Sequence, residues 1–161
     1  MQLPASLLEI KAWKAYKGQF PEINGEHRII LVYQDGDIFY RFCVTSQIDK
    51  AKLRTKYDKG SLVEIKPDEW DALTTNSCIE CSKNNFKPIS KSILVQMYQN
   101  GELKVLGEVP ETIKTKIIHA ICASKTYNDT EKSFILPLKH SRYFIKYRFK
   151  LYDYPNNCPR R

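Results

Sequence analysis

The stretch IILVYQDGDIFYRFCV, residues 29–44, decides how this chain begins to fold. Two apolar runs, Ile29–Tyr33 and Ile38–Val44, flank the polar segment Gln34-Asp35-Gly36-Asp37. Asp-Gly between two apolar runs is a strong signal for a tight β-hairpin, because glycine adopts the positive φ that such turns need. The sequence therefore predicts two antiparallel strands joined by a short turn.

A hairpin brings the start of its first strand beside the end of its second. His27 and Arg28 precede the first strand, and Thr45, Ser46 and Gln47 follow the second. We therefore expect these five residues to lie together on one rim of the sheet. A permanent cation, an imidazole and two hydroxyls in one place suit the binding of a phosphodiester.

Length and composition favour a single globular domain. The chain has 161 residues, and 42% of them are hydrophobic, which suffices for a core without disulfides or metal. Charged residues interrupt the first twenty positions, so neither a signal peptide nor a membrane span is expected. Five cysteines without framework spacing are typical of reduced thiols, so we expect a cytoplasmic protein.

The basic charge is concentrated near the C-terminus. The net charge is +8, and from Glu131 onward eight bases face two acids, which gives 8 − 2 = +6 for that segment. The same segment is rich in aromatic residues. The latter part of Tyr143–Tyr152 alternates apolar and cationic positions, as a half-buried strand does. Two interpretations stay open: a surface for nucleic acid, or a solvated face with a small core of its own.

Other helices and strands are predicted from the spacing of apolar residues and the positions of proline. Pro4–Lys17 has apolar residues at roughly helical spacing, which predicts an amphipathic helix. Pro110–Lys125 carries a clear apolar stripe behind an initial proline and predicts a second helix. Leu62–Ile65 and Ser77–Cys81 are predicted strands, and Ile89–Met97 fits either a strand or a strand followed by a helix.

Several segments in order resemble the MazF/PemK family of bacterial toxin endoribonucleases. Arg28-Ile29-Ile30-Leu31-Val32 resembles the family's Arg-Pro-x-Leu-Val strand, and Val44-Thr45-Ser46-Gln47-Ile48 resembles its strand ending in Ile-Thr-Ser or Ile-Thr-Ala. Asn76-Ser77-Cys78-Ile79-Glu80 stands where the family has Asp-Ser-Val, and Leu106-Gly107-Glu108-Val109-Pro110 resembles its Leu-Gly-x-Leu ending before a helix. The resemblance covers residues 26–124.

The resemblance implies a mainly β fold with helices, a small half-open barrel of the CcdB/MazF/PemK type with a C-terminal helix. It also implies a homodimer, a single-stranded RNA substrate and an antitoxin protein as partner. We expect an N-terminal helix and linker over residues 1–25, the barrel over 26–127, and a basic aromatic extension packing on it over 128–161. The family's opening strand begins Lys-Gly, so the short Lys17-Gly18-Gln19-Phe20 predicts that this strand is shortened or replaced.

The expected chemistry is RNA cleavage without a metal ion, by attack of the ribose 2′-OH on the adjacent phosphorus. The resemblance assigns Arg28 to bind the phosphoryl oxygens and Thr45 to donate a hydrogen bond to them. His27 matches no fixed family position, and we expect it to act as base or acid from its chemistry alone. Predicted RNA-binding residues are Ser46, Gln47, Lys50, Lys52 and Arg54.

No cofactor, metal or membrane is expected. Cys78-Ile79-Glu80-Cys81 lacks the second pair that a structural zinc site requires, and residues three apart on a strand face opposite sides. An alternative to the nuclease is a non-catalytic module of the same barrel fold that holds nucleic acid or a protein. A toxin of this fold that poisons a protein target is a third alternative, because fold alone does not fix activity.

Overall fold

The computed structural model describes residues 8–136, which form one antiparallel sheet with helices on both of its faces. The strands are β1 Lys14–Gly18, β2 His27–Asp35, β3 Ile38–Thr45, β4 Leu62–Ile65, β5 Ser77–Glu80, β6 Lys87–Ser90 and β7 Leu103–Glu108. The α-helices are α1 Ile48–Arg54, α2 Lys91–Gln99, α3 Glu111–Ala123 and α4 Asp129–Ile135. The strand predicted over Tyr143–Tyr152 lies outside the described residues.

The β2–β3 hairpin predicted from the opening stretch is confirmed. Asp35 pairs with Ile38, so the loop consists of Gly36 and Asp37. Gly36 has a φ of 58°, the positive value that two-residue hairpin loops require at their first position. The hairpin supplies the central pair of strands.

The sheet is open within the described part of the chain. Its strand order is β4-β5-β3-β2-β1-β7, and β6 pairs with the part of β3 that β5 leaves free. The expected class, a mainly β fold with helices, agrees with this architecture. The strands of residues 8–136 do not close into a barrel, because β4 and β7 remain edges.

Both sheet faces are buried, because neighbouring β2 residues alternate between two apolar clusters. Ile30 and Val32 pack with α3 side chains such as Ile117, on what we call the α3 face. Ile29 and Leu31 pack with α2 side chains such as Leu94, on the α2 face. A strand buried on both faces reads as a continuous apolar run, as residues 29–32 do.

The helix predicted over Pro4–Lys17 is wrong where the structure describes it. Residues 14–18 are strand β1, hydrogen-bonded to β2 on one side and β7 on the other. Trp13 precedes it with a φ of 64°, which is incompatible with a right-handed helix. The expected division at residue 25 therefore does not separate two structural units.

The helix predicted over Pro110–Lys125 is confirmed as α3, and Ile89–Met97 forms the end of β6 followed by α2. Beyond α3, helix α4 starts with a capping box in which Asn128 and Glu131 satisfy each other's backbone N–H groups. Ile135 of α4 is buried in the α3-face cluster. The start of the predicted C-terminal extension is thus part of the same core.

Candidate nucleic-acid interface

Arg28 is held on the α3 face at the rim of the sheet. It pairs with Lys17 of β1 on one side and with Val44 of β3 on the other. Its Nε–H donates to the carbonyl oxygen of Ala72 at 2.9 Å, and Ala72 packs against the α3-face cluster. Within residues 8–136 the Nη groups of this guanidinium make no further hydrogen bond.

Thr45 lies at the same rim but presents to the α2 face. It pairs with Cys78, whereas the preceding Val44 pairs with Ile79 in the α3-face cluster. Adjacent strand residues point to opposite faces, so Thr45 and Arg28 are separated by the sheet. The expected convergence of these two side chains on one pocket is therefore wrong: the register places Arg28 opposite Val44 rather than Thr45.

His27 occupies the strand position one step before Arg28 and so shares the α2 face with Thr45. It pairs with Gly18 of β1. Its Nε2 lies 2.7 Å from the carbonyl oxygen of Asn24. Because a carbonyl only accepts, this contact requires a proton on Nε2 and leaves Nδ1 as the nitrogen able to accept or release one.

The predicted RNA-binding residues divide into exposed and ion-paired side chains. Ser46, Gln47 and Lys50 are exposed after β3, and the backbone N–H of Gln47 donates to the Thr45 hydroxyl oxygen at 3.1 Å. Lys52 pairs with Glu64 at 2.9 Å. Arg54 binds Glu80 with two guanidinium nitrogens, and the Glu80 side chain is only 10% exposed. Arg54 therefore stabilises the junction of α1 with β5.

A row of three cations crosses the rim, and sequence reasoning missed it. Lys104 of β7 pairs with Lys17 of β1, and Lys17 pairs with Arg28 of β2. We call Lys104, Lys17 and Arg28 the cationic row. Paired residues share a face, so all three belong to the α3 face. No local pattern reveals the row, because Lys104 and Arg28 meet only through a strand that the sequence predicts as helix.

Glu26 partly neutralises the cationic row. Its carboxylate lies 2.6 Å from Lys17 Nζ. The hydrogen bond from Lys17 lowers the pKa of Glu26, and the charges of Arg28 and Lys104 lower it further. Like charges directly opposite one another on a sheet are unfavourable, so a row of net charge +2 is a feature that stability alone does not explain.

No metal site or membrane helix occurs in the described part of the chain. Residues 8–136 contain no group of three or more potential metal-ligating side chains of the His, Cys, Asp or Glu type. Cys81 belongs to the α3-face cluster, while Cys78 lies on the other face, as the strand spacing predicts. Burial raises the pKa of the Cys78 thiol to about 11. Across the same residues, no helix is both long and apolar enough to span a bilayer.

Comparison with known proteins adds no family assignment. No protein-family model matches the chain, and no curated protein matches it. The functional conclusion therefore depends on the residues themselves and on the resemblance described above.

Proposed function

We propose that this chain is a toxin-type endoribonuclease that cleaves single-stranded RNA without a metal ion and is neutralised by a cognate antitoxin protein. The observation that supports this most is the cationic row, which includes Arg28, the residue that the MazF/PemK resemblance assigns to phosphate binding. The proposal includes the finer fold assignment, a half-open barrel of the CcdB/MazF/PemK type that acts as a homodimer in the cytoplasm.

The row suits an RNA backbone because its charges lie side by side across neighbouring strands. Adjacent strands are spaced about 4.8 Å apart, so the row spans roughly two strand spacings, or about 10 Å. The Arg28 fork matches two phosphate oxygens, whereas Lys17 and Lys104 act as point charges. In the proposal, the row binds phosphates and orients the RNA across the rim.

The chemical step then belongs to the side chains on the α2 side of the rim. Thr45 donates its hydroxyl proton to a phosphoryl oxygen, while its own oxygen accepts from Gln47. His27 exchanges a proton through Nδ1, as base for the 2′-OH or as acid for the departing 5′-oxygen. An RNA chain that crosses the rim at the start of β2 and the end of β3 contacts both faces, because only the thickness of one sheet separates Arg28 from Thr45.

The test is an RNA digestion in EDTA with purified protein. We expect cleavage that leaves a 2′,3′-cyclic phosphate, and a loss of about 10²-fold or more in rate for Arg28→Ala and for Thr45→Ala. Lys125→Ala is the matched control, because Lys125 is exposed and lies outside the row. Full activity of both site variants, or complete loss of wild-type activity in EDTA, would refute the proposal.

The separation of Arg28 from Thr45 favours a second candidate, a non-catalytic module that binds nucleic acid through the same row. Arg28 already donates to Ala72, so a binding role requires no rearrangement of its side chain. This candidate predicts salt-dependent RNA binding with no strand scission in the same digestion.

A further inference from the structure

Arg41 is a buried cation in an apolar part of the sheet. It lies on β3 opposite Leu31, on the α2 face, and its side chain is only 4% exposed. Burying a guanidinium costs much free energy unless anions and hydrogen-bond acceptors surround it. Arg41 therefore requires an anion or hydrogen-bond acceptors at this position.

The partners that the described residues supply are incomplete. One terminal nitrogen, Nη1, donates to Cys43 Sγ at 2.9 Å, and thiol sulfur is a weak acceptor. The other, Nη2, lies 4.0 Å from the carboxylate of Glu22, whose side chain is 67% exposed. Nε has no hydrogen-bond partner among residues 8–136. A guanidinium with five N–H donors is thus left with one weak acceptor and one distant, solvated carboxylate.

Arg41 is one of the residues that line a half-open cavity of about 210 Å³. Its lining is mainly apolar, with two polar groups besides Arg41 at its border. The lining residues are Phe20, Pro21, Glu22, Arg41, Pro88, Ile89, Ser90 and Ile93. The volume admits a ligand of about one ring, well below the ~300–1,000 Å³ of drug-sized sites.

The start of α2 borders the same cavity. Ser90 caps this nine-residue helix by accepting from the N–H of Ile93, and the first turn contains no acidic residue. A helix N-terminus carries partial positive charge, so it adds to the field of Arg41. A buried fork of donors, a helix start and an apolar wall thus converge on one small space.

We infer that this cavity binds a small organic carboxylate with an apolar body. The carboxylate pairs with the terminal Nη donors of Arg41 on the side of Glu22, displacing or supplementing that carboxylate, and the apolar body packs between Phe20, Ile89 and Ile93. The apolar lining selects against inorganic phosphate, which has no group to place there. Because the ligand joins the β1–β2 connection to β3 and α2, its binding raises the melting temperature.

The test titrates wild-type protein with sodium benzoate, with benzyl alcohol as the uncharged analogue and with inorganic phosphate. Binding is followed by calorimetry and by the NMR signal of the Arg41 Nε–H. We expect benzoate to bind, to shift that signal and to raise the melting temperature, and the other two to do none of these. Equal binding of benzoate and benzyl alcohol, a tighter response to phosphate, or no benzoate binding would overturn the assignment.

Variants locate the binding site. Arg41→Met keeps the side-chain volume and removes the charge, and we expect it to weaken benzoate binding about 10- to 100-fold, the value of hydrogen bonds to a charged group. Glu22→Gln removes the competing carboxylate and should tighten binding. If Arg41→Met does not fold, the wild-type NMR shift and the benzoate affinity of Glu22→Gln test the inference instead. An Arg41 Nε–H signal that does not move on adding benzoate, or an unchanged affinity in Glu22→Gln, would contradict it.

Discussion

The cationic row makes a quantitative prediction about salt. For single-stranded nucleic acid, the slope of log affinity against log salt concentration is about −0.7 for each phosphate neutralised. Three cations across β7, β1 and β2, less the Glu26 carboxylate that pairs with Lys17, leave the row a net charge of +2, so the row contributes a slope of about −1.4. Raising the salt from about 50 mM to about 200 mM should weaken this part of the binding roughly 7-fold.

Single substitutions show how much each residue of the row contributes to that slope. Lys104 is exposed and its side chain has no acidic partner among the described residues, so Lys104→Gln should make the slope less steep by about 0.7. Glu26→Gln releases Lys17 from its 2.6 Å ion pair and should make the slope steeper and the binding tighter. Lys125→Gln removes the same net charge as Lys104→Gln from a position outside the row, and it should alter the slope far less.

The assay is fluorescence anisotropy with a 2′-O-methyl RNA oligonucleotide, which a nuclease using the 2′-OH cannot cleave. The measurement thus applies whether or not the protein is catalytic. Equal changes of slope in Lys104→Gln and Lys125→Gln would refute the row, because they would show that net charge alone governs binding. An unchanged slope in Glu26→Gln would show that Lys17 does not contact phosphate.

Three further predictions concern the pairs and buried groups described above. Arg54→Met removes the ion pair of Glu80 at the α1–β5 junction and leaves that carboxylate a hydrogen bond from Asn85 among the described residues. The free energy of unfolding, measured by urea denaturation, should fall by about 1–3 kcal/mol, while the salt slope in the anisotropy assay should not change. Tyr127→Phe removes a buried hydroxyl that has no hydrogen-bond partner among the described residues. It should raise the free energy of unfolding by about 1 kcal/mol, which urea denaturation would show as a higher midpoint, whereas a lower midpoint would mean that the hydroxyl makes a hydrogen bond. Burial raises the pKa of Cys78 to about 11 and that of Cys81 well above its usual value, so at pH 8 both should resist iodoacetamide in native protein and react after unfolding, as peptide mass spectrometry would show.

The elements that the sequence predicts correctly are those whose signals are local. The β2–β3 hairpin follows from Asp-Gly between two apolar runs, and α3 follows from an initial proline and an apolar stripe. Strand β1 defeats the same reasoning. Ala15 and Tyr16 are buried on opposite faces, so the strand shows no alternation of apolar and polar residues, and its partners are far away in the chain.

The candidate site shows the same limit more sharply. The rim that unites His27, Arg28 and Thr45 follows from the hairpin, but the face each side chain takes depends on register. A shift of one residue exchanges the faces, and the turn's local sequence does not fix the register at the distant strand ends. The burial of Arg41 is not predictable from the sequence for a related reason. A cation within a strand normally indicates a solvent-exposed face, and here that face is covered by α2.

Strand β1 also determines when the protein can complete its fold. It is the only strand of the described residues that joins β7 to the remainder of the sheet, and Lys14 pairs with Glu108. During synthesis β1 therefore has one edge unpaired until β7, about ninety residues further along the chain, has been added. Such non-local pairing slows folding, and the nascent chain presents an open strand edge until β7 pairs with β1.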